Sequence, residues 1–295
     1  MDARLAPLAW RADMRLVHAI AVAGKGPRSR PARRLVHRHL GASKRAEAGY
    51  VRALIQAFQA AHRATLAHVE PRLEAPELRH DAPPDGSVPE GDPIEAGFLA
   101  RLLAFLRRRA AAAFDEMAEQ VDRKNARALS ILGIEPDAAG VLGVLSAARE
   151  WNIRLVENAG RAYADDVREV FADPDNVGVR VEALRDQLMA RGKVSLSRAS
   201  LIARDQTLKT NAALSQARQR AAGVTRYRWS TSHDERVRKS HAELDGEAFD
   251  YDDPPEVDGE PANPGEPVQC RCIAIPVIPE LEEEEPDEMD VAAEE

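Results

Sequence analysis

The chain has 295 residues, of which 44% are hydrophobic, 31% are charged and 4% are aromatic, and its mean hydropathy is −0.42. No apolar run approaches the roughly 18 residues that a membrane-spanning helix needs, so we expect a soluble protein without a membrane partner. Charged side chains interrupt each apolar stretch of residues 1–20, which argues against a signal peptide. Cys270 and Cys272 are one residue apart, so a disulfide between them would be strained. These features exclude a disulfide scaffold and indicate a reducing cytoplasm.

The net charge of −8 is distributed unevenly along the sequence. Residues 280–295 hold ten acidic and no basic side chains, which predicts an acidic disordered tail with too few apolar groups to fold. Residues 1–45 hold eleven Lys and Arg against two acidic residues, which predicts a basic N-terminal arm. Its Gly-, Pro- and Arg-rich segment 24–32 is predicted to be mobile or ordered only by a partner. Charge alone leaves open whether this arm is merely solvated. The candidate contacts with DNA phosphates or an acidic protein are Arg28, Arg30, Arg33 and Arg34.

Next in the chain come one helix and a linker, over residues 46–93. Apolar residues at spacings of three and four predict a helix from Ala46 to Val69. Pro71 is expected to stop it, because proline lacks the backbone donor that a helix interior needs. Residues 71–93 carry six prolines and two Gly-containing turn signals, which predicts a linker and a domain boundary.

A helical body is predicted over residues 94–223. Its first two helices, over 94–132 and 137–171, are rich in alanine and carry an apolar stripe of period 3.6, with Asn152 as a weaker point in the pattern.

Two further helices are predicted in the rest of this body. A short one should run from Val181 and end near Gly192. Ser197 should cap the next, which should continue to Ala222 with Gly223 at its C-terminus.

Composition changes at Val224. Residues 224–279 combine a β-prone run around Trp229 with turn signals, among them the hairpin signal Asp245–Gly246. The predicted fold class is therefore α+β, with predominantly long α-helices and a small, irregular, β-containing C-terminal module. A module with so few apolar side chains needs an additional source of stability.

Histidine and cysteine offer that stability through a structural zinc ion. His241, Cys270 and Cys272 are ligand types that suit tetrahedral zinc, and Asp234 or His233 is the candidate fourth ligand. The spacing is not that of a standard zinc finger. The alternative is that both cysteines pack as small apolar groups and His241 is a hydrogen-bonded core histidine.

Ion pairs are a second candidate source of stability in the module. Asp234 with Arg236 and Arg238 is predicted to form a bidentate cluster of charges. Trp229 is expected to lie in the core. In the preceding helix, Arg204 and its neighbour Asp205 cannot both lie on an apolar stripe, so at least one is expected to reach the module or a partner.

A catalytic role for the same residues is a weaker hypothesis. A cysteine could pair with His241 as nucleophile and base, and His233, Asp234 and His241 could hold a nuclease metal. Neither cluster has a recognisable spacing, and the sequence contains no phosphate-binding Gly loop, Gly-x-Ser-x-Gly or His-Glu-x-x-His motif. We therefore predict a protein without an enzymatic activity.

One ordered set of rare residues is distinctive. It runs through Trp229, Asp234, Arg236, Arg238, His241 and Leu244-Asp245-Gly246 to a Pro-Gly turn and Cys270-Arg271-Cys272. This set resembles the C-terminal signature of the phage head morphogenesis family, the Mu F-like minor head proteins of tailed phages and prophages. Residues 203–224 resemble the helix that precedes that signature, so the similarity covers about 150–279. Some members have a further His before the Cys-Arg-Cys, where this chain has Pro267 three positions before Cys270.

The resemblance implies a minor capsid protein of the virion. It implies association with portal or major capsid proteins, at the portal vertex or the inner capsid. It also implies that few copies are present and that they act during head assembly and DNA packaging. The alternatives left open are a metal-dependent enzyme acting on nucleic acid and a nucleic-acid-binding module that uses the basic arm.

Overall fold

A computed structural model describes residues 30–73, 91–134, 138–176 and 179–278. The chain forms two compact units, each assembled from separate segments. The first unit contains the described residues of 1–43, 120–145 and 208–295, and the second contains those of 44–119 and 146–207. Linear boundaries taken from composition do not anticipate such interleaving, and the predicted domain ranges stay predictions.

Helices dominate the described residues. They are α1 (Arg30–Leu40), α2 (Lys44–Leu73), α3 (Ala96–Ser130), α4 (Ala138–Ala172), α5 (Val181–Ala221) and the short α6 (Lys239–Glu243), with a 3-10 turn at Pro174–Asn176. The strands are β1 (Arg226–Ser230), β2 (Ala248–Asp250), β3 (Glu256–Val257), β4 (Glu260–Pro261) and β5 (Ile273–Pro276). This arrangement confirms the α+β class with long helices and a small β-containing module. Within the described ranges, each helix is too short or too polar to cross a membrane.

Helix α5 is continuous where the sequence predicted two helices. Gly192 lies inside it, and a Cβ atom at that position would approach the His62 ring to 2.6 Å. The glycine therefore permits close packing within the second unit and does not end the helix. Ser197 is not a cap, because its hydroxyl donates to the carbonyl of Lys193 at 3.2 Å inside the same helix.

Two other helix ends differ from the prediction. Helix α2 continues to Leu73, so Pro71 lies in its last turn and the helix ends two residues after it. Helix α1 begins at Arg30, within the segment that was predicted to be mobile. The other residues of that segment, 24–29, lie outside the described residues.

Helix α1 is part of the first unit's core. Val36 and Leu40 are buried with Leu129 of α3, with Leu132 in the turn after that helix, and with Ile275 of β5. The second half of the predicted arm is therefore a packed element. Arg28 lies outside the described residues. The backbone of α1 includes Arg30, Arg33 and Arg34.

Polar side chains also hold the second unit. The buried Asn152 of α4 accepts a hydrogen bond from the hydroxyl of Tyr50 on α2, which explains the polar interruption of the helical pattern. The Arg168 guanidinium donates to both carboxylate oxygens of Asp92 at 2.9 Å and to the carbonyl of Ile94 at 2.7 Å. These bonds attach the end of the predicted linker to α4.

The module's main sheet has the order β2-β1-β5, and both pairs are antiparallel. On β1, Tyr227 and Trp229 are fully buried and pack with Tyr251 and Val257. Gln219 of α5 accepts a hydrogen bond from the Tyr251 hydroxyl at 2.8 Å and donates to the carbonyl of Ala274 at 3.3 Å. The module is thus attached to the end of α5.

The hairpin prediction for Asp245–Gly246 is wrong. Strands β1 and β2 are joined by a long connection that contains α6, and Gly246 lies at its end, where its N–H donates to the Trp229 carbonyl at 2.8 Å. The two-residue hairpin turn lies instead between β3 and β4, at Asp258 and Gly259. Both have positive φ, 56° and 93°, as a type I′ turn requires.

Candidate metal centre

Three buried ligand-type side chains meet in the module. His241 lies in the last turn of α6, Cys270 lies in the turn that precedes β5, and Cys272 lies directly before β5. Their exposed fractions are 3%, 4% and 7%. One ligand atom from each residue lies within 4.8 Å of the other two. The structure therefore brings together three of the four residues predicted to bind a metal.

Nδ1 of His241 faces both sulfur atoms. It lies 3.4 Å from Sγ of Cys272 and 3.5 Å from Sγ of Cys270. A single ring nitrogen carries either one hydrogen or one lone pair, so it cannot make a good hydrogen bond to both sulfurs. The distances instead fit three ligands around a common centre.

The opposite ring nitrogen faces a carboxylate. Nε2 of His241 lies 3.4 Å from Oδ2 of Asp258 and 3.3 Å from Nη1 of Arg238, which donates to the same carboxylate oxygen at 2.8 Å. The Arg238 guanidinium also donates to the Val268 carbonyl at 2.5 Å. The two Nη atoms of Arg238 already donate to Asp258 and to the Val268 carbonyl, so a hydrogen on Nε2 would be directed at the carboxylate of Asp258. That tautomer leaves the lone pair on Nδ1, directed at the two sulfurs.

The two thiols are hydrogen-bonded to each other. A hydrogen bond from Cys272 lowers the pKa of Cys270 to about 6, against the effect of burial. The pKa of Cys272 is raised correspondingly, because it donates that proton to Cys270 and because it is buried. The N–H of Gly265 also donates to the Cys270 sulfur, at 3.4 Å. Cys270 is therefore the more readily deprotonated of the two cysteines.

Gly265 is required at that turn. Its φ is +91°, and a Cβ atom there would lie 2.5 Å from the Cβ of Ala212 on α5. Only glycine adopts this conformation at such close approach without strain. The Pro264–Gly265 turn thereby positions the backbone donor for the Cys270 sulfur.

A small cavity borders the two cysteines. Its volume is about 20 Å³, which is room for roughly one water molecule. Asn263 also lines this cavity, and its Oδ1 is buried without a hydrogen-bond partner among the described residues. The Trp229 ring lies edge-on to His241, with ring centroids 5.7 Å apart.

Asp234 is not in this cluster. Its carboxylate accepts two hydrogen bonds from the Arg271 guanidinium, one from Nη2 at 2.7 Å and one from Nη1. These bonds lower the pKa of Asp234 to about 2. His233, the other candidate fourth ligand, lies with Thr231 and Asp245. Asp234 and His233, the two candidate fourth ligands, therefore form contacts outside the cluster.

The predicted ion-pair cluster has different partners. Asp234 forms its ion pair with Arg271. From Arg236 it accepts a hydrogen bond of the backbone N–H, at 3.0 Å, and none from the guanidinium is seen among the described contacts. Arg238 forms its ion pair with Asp258. The sequence placed these charges in one group because they are neighbours along the chain, whereas the fold distributes them over two loops. The prediction named Arg271 only as part of the Cys-Arg-Cys motif and did not name Asp258, and these two residues are the ion-pair partners of Asp234 and Arg238.

The remaining predicted residues of the signature hold the loops. Asp245 accepts hydrogen bonds from the N–H and hydroxyl of Thr231, at 2.9 and 3.1 Å. In the second unit, the ion-pair partner of Arg204 is Glu47 of α2, at 4.0 Å. Its neighbour Asp205 is buried and accepts a hydrogen bond from Gln206, so the alternative that Asp205 is solvated is wrong.

Comparison with known proteins identifies the segment that carries this module. Residues 165–275 match the family model described as Phage Mu protein F like protein. This segment is similar to the phage Mu protein F-like family. The match runs from the end of α4 through α5 to β5 and contains the whole His241, Cys270 and Cys272 cluster. The resemblance drawn from the sequence signature is thereby confirmed.

One curated relative matches a longer stretch. The chain is 37% identical over 155 residues to a protein of Haemophilus influenzae described as uncharacterized. The match covers 52% of this chain and 34% of that protein, so the chain spans about a third of the length of this relative. No solved structure gives a significant match.

Proposed function

We propose that this chain is a minor head protein of a tailed phage or prophage, with a structural role in head assembly and DNA packaging. The observation that carries the proposal is the Mu F-like match over residues 165–275. Assembly at the portal vertex or inner capsid, and a place in the virion, follow from what such a family implies for this chain.

The chemistry of the module supports a structural role. Its three ligand-type side chains are at most 7% exposed. The cavity beside the cysteines, about 20 Å³, holds roughly one water molecule, whereas a substrate pocket typically has a volume of about 300–1,000 Å³. Charged residues of the signature form hydrogen bonds within the module, as Asp234 does with Arg271 and Arg238 with Asp258. Their side chains therefore stabilise loops and are not directed at a substrate pocket. This arrangement favours assembly over a nucleic-acid enzyme.

The partners proposed for this role are portal and major capsid proteins, with packaged DNA as a further contact. DNA would meet the arginines of the basic arm, Arg28, Arg30, Arg33 and Arg34, because phosphates attract clustered guanidinium groups. The acidic residues of 280–295 would face basic partners or solvent.

A complementation experiment tests the assembly role. Particles would be prepared from the encoding strain with the gene deleted, and heads would be counted by electron microscopy and DNA content. We expect the deletion to abolish DNA-filled heads and the wild-type chain to restore them. Trp151→Ala, at a half-exposed position, should restore heads equally, while the core variant Trp229→Ala should not. Normal DNA-filled heads in the deletion strain would overturn the proposal.

A nuclease assay addresses the enzyme alternative. The purified chain would be incubated with single- and double-stranded DNA and a series of divalent metals. We expect no cleavage above a His241→Ala control. Metal-dependent cleavage that is abolished by His241→Ala would favour the enzyme.

A further inference from the structure

We propose that His241, Cys270 and Cys272 bind one zinc ion, and that Asp258 orients the histidine from outside the ligand set. The inference is a metal site in the module, and it does not depend on the head-assembly role.

The ligand distances match a zinc tetrahedron. Zn–S bonds of about 2.3 Å and Zn–N bonds of about 2.0–2.1 Å place a sulfur and a nitrogen ligand about 3.5 Å apart. The two observed distances from Nδ1 of His241 to the sulfurs are 3.4 and 3.5 Å. Since one nitrogen cannot serve two hydrogen bonds to sulfur, a shared metal accounts for both contacts at once. Thiolate and imidazole ligands select zinc over magnesium or calcium, which prefer oxygen.

The histidine is held as a zinc ligand requires. Ligating histidines typically donate their other ring N–H to a carboxylate, which fixes the tautomer and the ring orientation. Asp258 takes this position, with Oδ2 3.4 Å from Nε2, beside Nη1 of Arg238 at 3.3 Å. Asp258 is itself held, because the Ser240 hydroxyl donates to its Oδ1 at 2.7 Å and Arg238 donates to its Oδ2 at 2.8 Å. The β3–β4 turn therefore orients the imidazole ring from the side that faces away from the two sulfurs.

The surroundings of sulfur suit a thiolate ligand. The N–H of Gly265 donates to the Cys270 sulfur at 3.4 Å, and such bonds stabilise the charge of a coordinated thiolate. Arg271 lies between the two cysteines and forms its ion pair with Asp234, which places a compensating positive charge beside the site.

The fourth position is assigned to a water molecule. The cavity of about 20 Å³ borders both cysteines and Asn263. Oδ1 of Asn263 is buried, at 8% residue exposure, and has no hydrogen-bond partner among the described residues. A zinc-bound water in this cavity would donate to that oxygen, so the orphaned acceptor gains a partner.

The module has a clear need for such a site. Its main sheet has three short strands and its second sheet has two, around an apolar cluster that includes the two cysteines. Zinc joins α6 to the segment before β5, and small domains of this kind take folding free energy from a metal.

The first experiment is elemental analysis of the full-length protein, purified under reducing conditions without chelators. We expect about one zinc per chain, and a lower melting temperature after chelation that returns when zinc is added. Cobalt substitution reports the ligands, because tetrahedral Co²⁺ with thiolates gives intense visible bands and thiolate-to-metal charge transfer. Wild-type protein without zinc that also fails to bind added Zn²⁺ or Co²⁺ would overturn the proposal.

Variants separate the ligands from the orienting residue. Cys270→Ser and Cys272→Ser should each lose the charge-transfer band and the bound zinc. Asp258→Asn should still bind one zinc at saturation, with affinity reduced about 10- to 100-fold. Asp234→Asn is the matched control, because its carboxylate pairs with Arg271, and it should bind zinc like the wild type. Equal losses of affinity in the two aspartate variants would contradict the role of Asp258.

Discussion

Nε2 of His241 lies 3.4 Å from Oδ2 of Asp258, on the side of the imidazole ring opposite the two cysteine sulfurs. The histidine therefore joins the β3–β4 turn to the segment before β5 through its two nitrogens. A module with little apolar surface gains its order from such polar links, which explains why so many residues of the signature are charged or metal-binding types.

The largest aromatic side chain of the module should dominate its stability. Trp229 is fully buried in the cluster that contains Tyr227 and both cysteines. Trp229→Ala should reduce the free energy of unfolding by about 3–5 kcal/mol, because it leaves a cavity at the centre of the module. Trp151→Ala is the control, since Trp151 is 54% exposed, and it should change that free energy by no more than about 0.5 kcal/mol. Urea denaturation followed by circular dichroism measures both, and similar losses in the two variants would contradict the packing.

Substitution of two helical glycines by alanine should change the free energy of unfolding in opposite directions. At Gly192 a Cβ atom would meet the His62 ring at 2.6 Å, and that ring is held by Tyr163 at 2.6 Å. Gly192→Ala should therefore destabilise by about 1–3 kcal/mol. At the exposed Gly143 nothing lies within 4 Å, so alanine should stabilise α4 by up to about 1 kcal/mol.

A second substitution tests the cause of the Gly192 effect. If the His62 ring is the obstacle, the extra cost of Gly192→Ala should largely disappear in a His62→Ala background, as a double-mutant cycle would show. An unchanged cost in that background would mean that the glycine acts through backbone conformation.

Stability should fall in mild acid because of His37. Nε2 of His37 lies 3.1 Å from the Ser230 hydroxyl, and His233 and Asp245 are the titratable groups that act on its ring. Burial, with a smaller contribution from His233, lowers the pKa of His37 to about 4. A depressed histidine pKa means that the folded state disfavours the protonated form. The stability is thus complete above the unfolded-state pKa of about 6.5 and is lost as the pH falls toward 4.

The size of this effect can be measured as a difference. Between pH 7 and pH 5, His37 should account for a loss of about 2 kcal/mol in the free energy of unfolding. Comparison of the wild type with His37→Gln over this range isolates the contribution. Parallel pH profiles for the two proteins would show that His37 is not buried as described.

DNA binding by the basic arm predicts a steep salt dependence. Four arginines that each neutralise one phosphate give a slope of about −3.6 for log K against log salt concentration. Alanine at Arg28, Arg30, Arg33 and Arg34 should remove most of that slope. The matched control replaces four exposed arginines of α3, at Arg101, Arg107, Arg108 and Arg109, and should keep it. Filter binding at two salt concentrations measures the DNA affinity and its salt dependence. Equal losses of affinity and slope in both variants would indicate general charge attraction without a role for the arm.

Much of the fold could be predicted from local signals. The 3.6-residue periodicity and the alanine content predicted the long helices, and the change of composition at Val224 predicted the β module. His241, Cys270 and Cys272 could be predicted as one cluster because their side chains are rare here and share a ligand chemistry. The ordered signature around them also predicted the Mu F-like match over residues 165–275.

Tertiary contacts account for what could not be predicted. Gly192 looks like a helix end along the sequence, and only its approach to His62 explains why α5 continues. Asp234 and Asp258 are equally plausible partners for His241 by residue type. The choice between them depends on the β3–β4 turn and on Arg271, which pairs with Asp234 and leaves the position at Nε2 to Asp258.

Quantitative mass spectrometry of purified heads is the most direct test of the proposed function. Particles from the encoding strain would be separated from free protein by density, and peptides of residues 165–275 would be counted against the major capsid protein. We predict that the chain co-purifies with heads in a small, fixed number of copies per particle. Its consistent absence from intact, DNA-filled heads, with abundant free chain in the same lysate, would contradict a place in the virion.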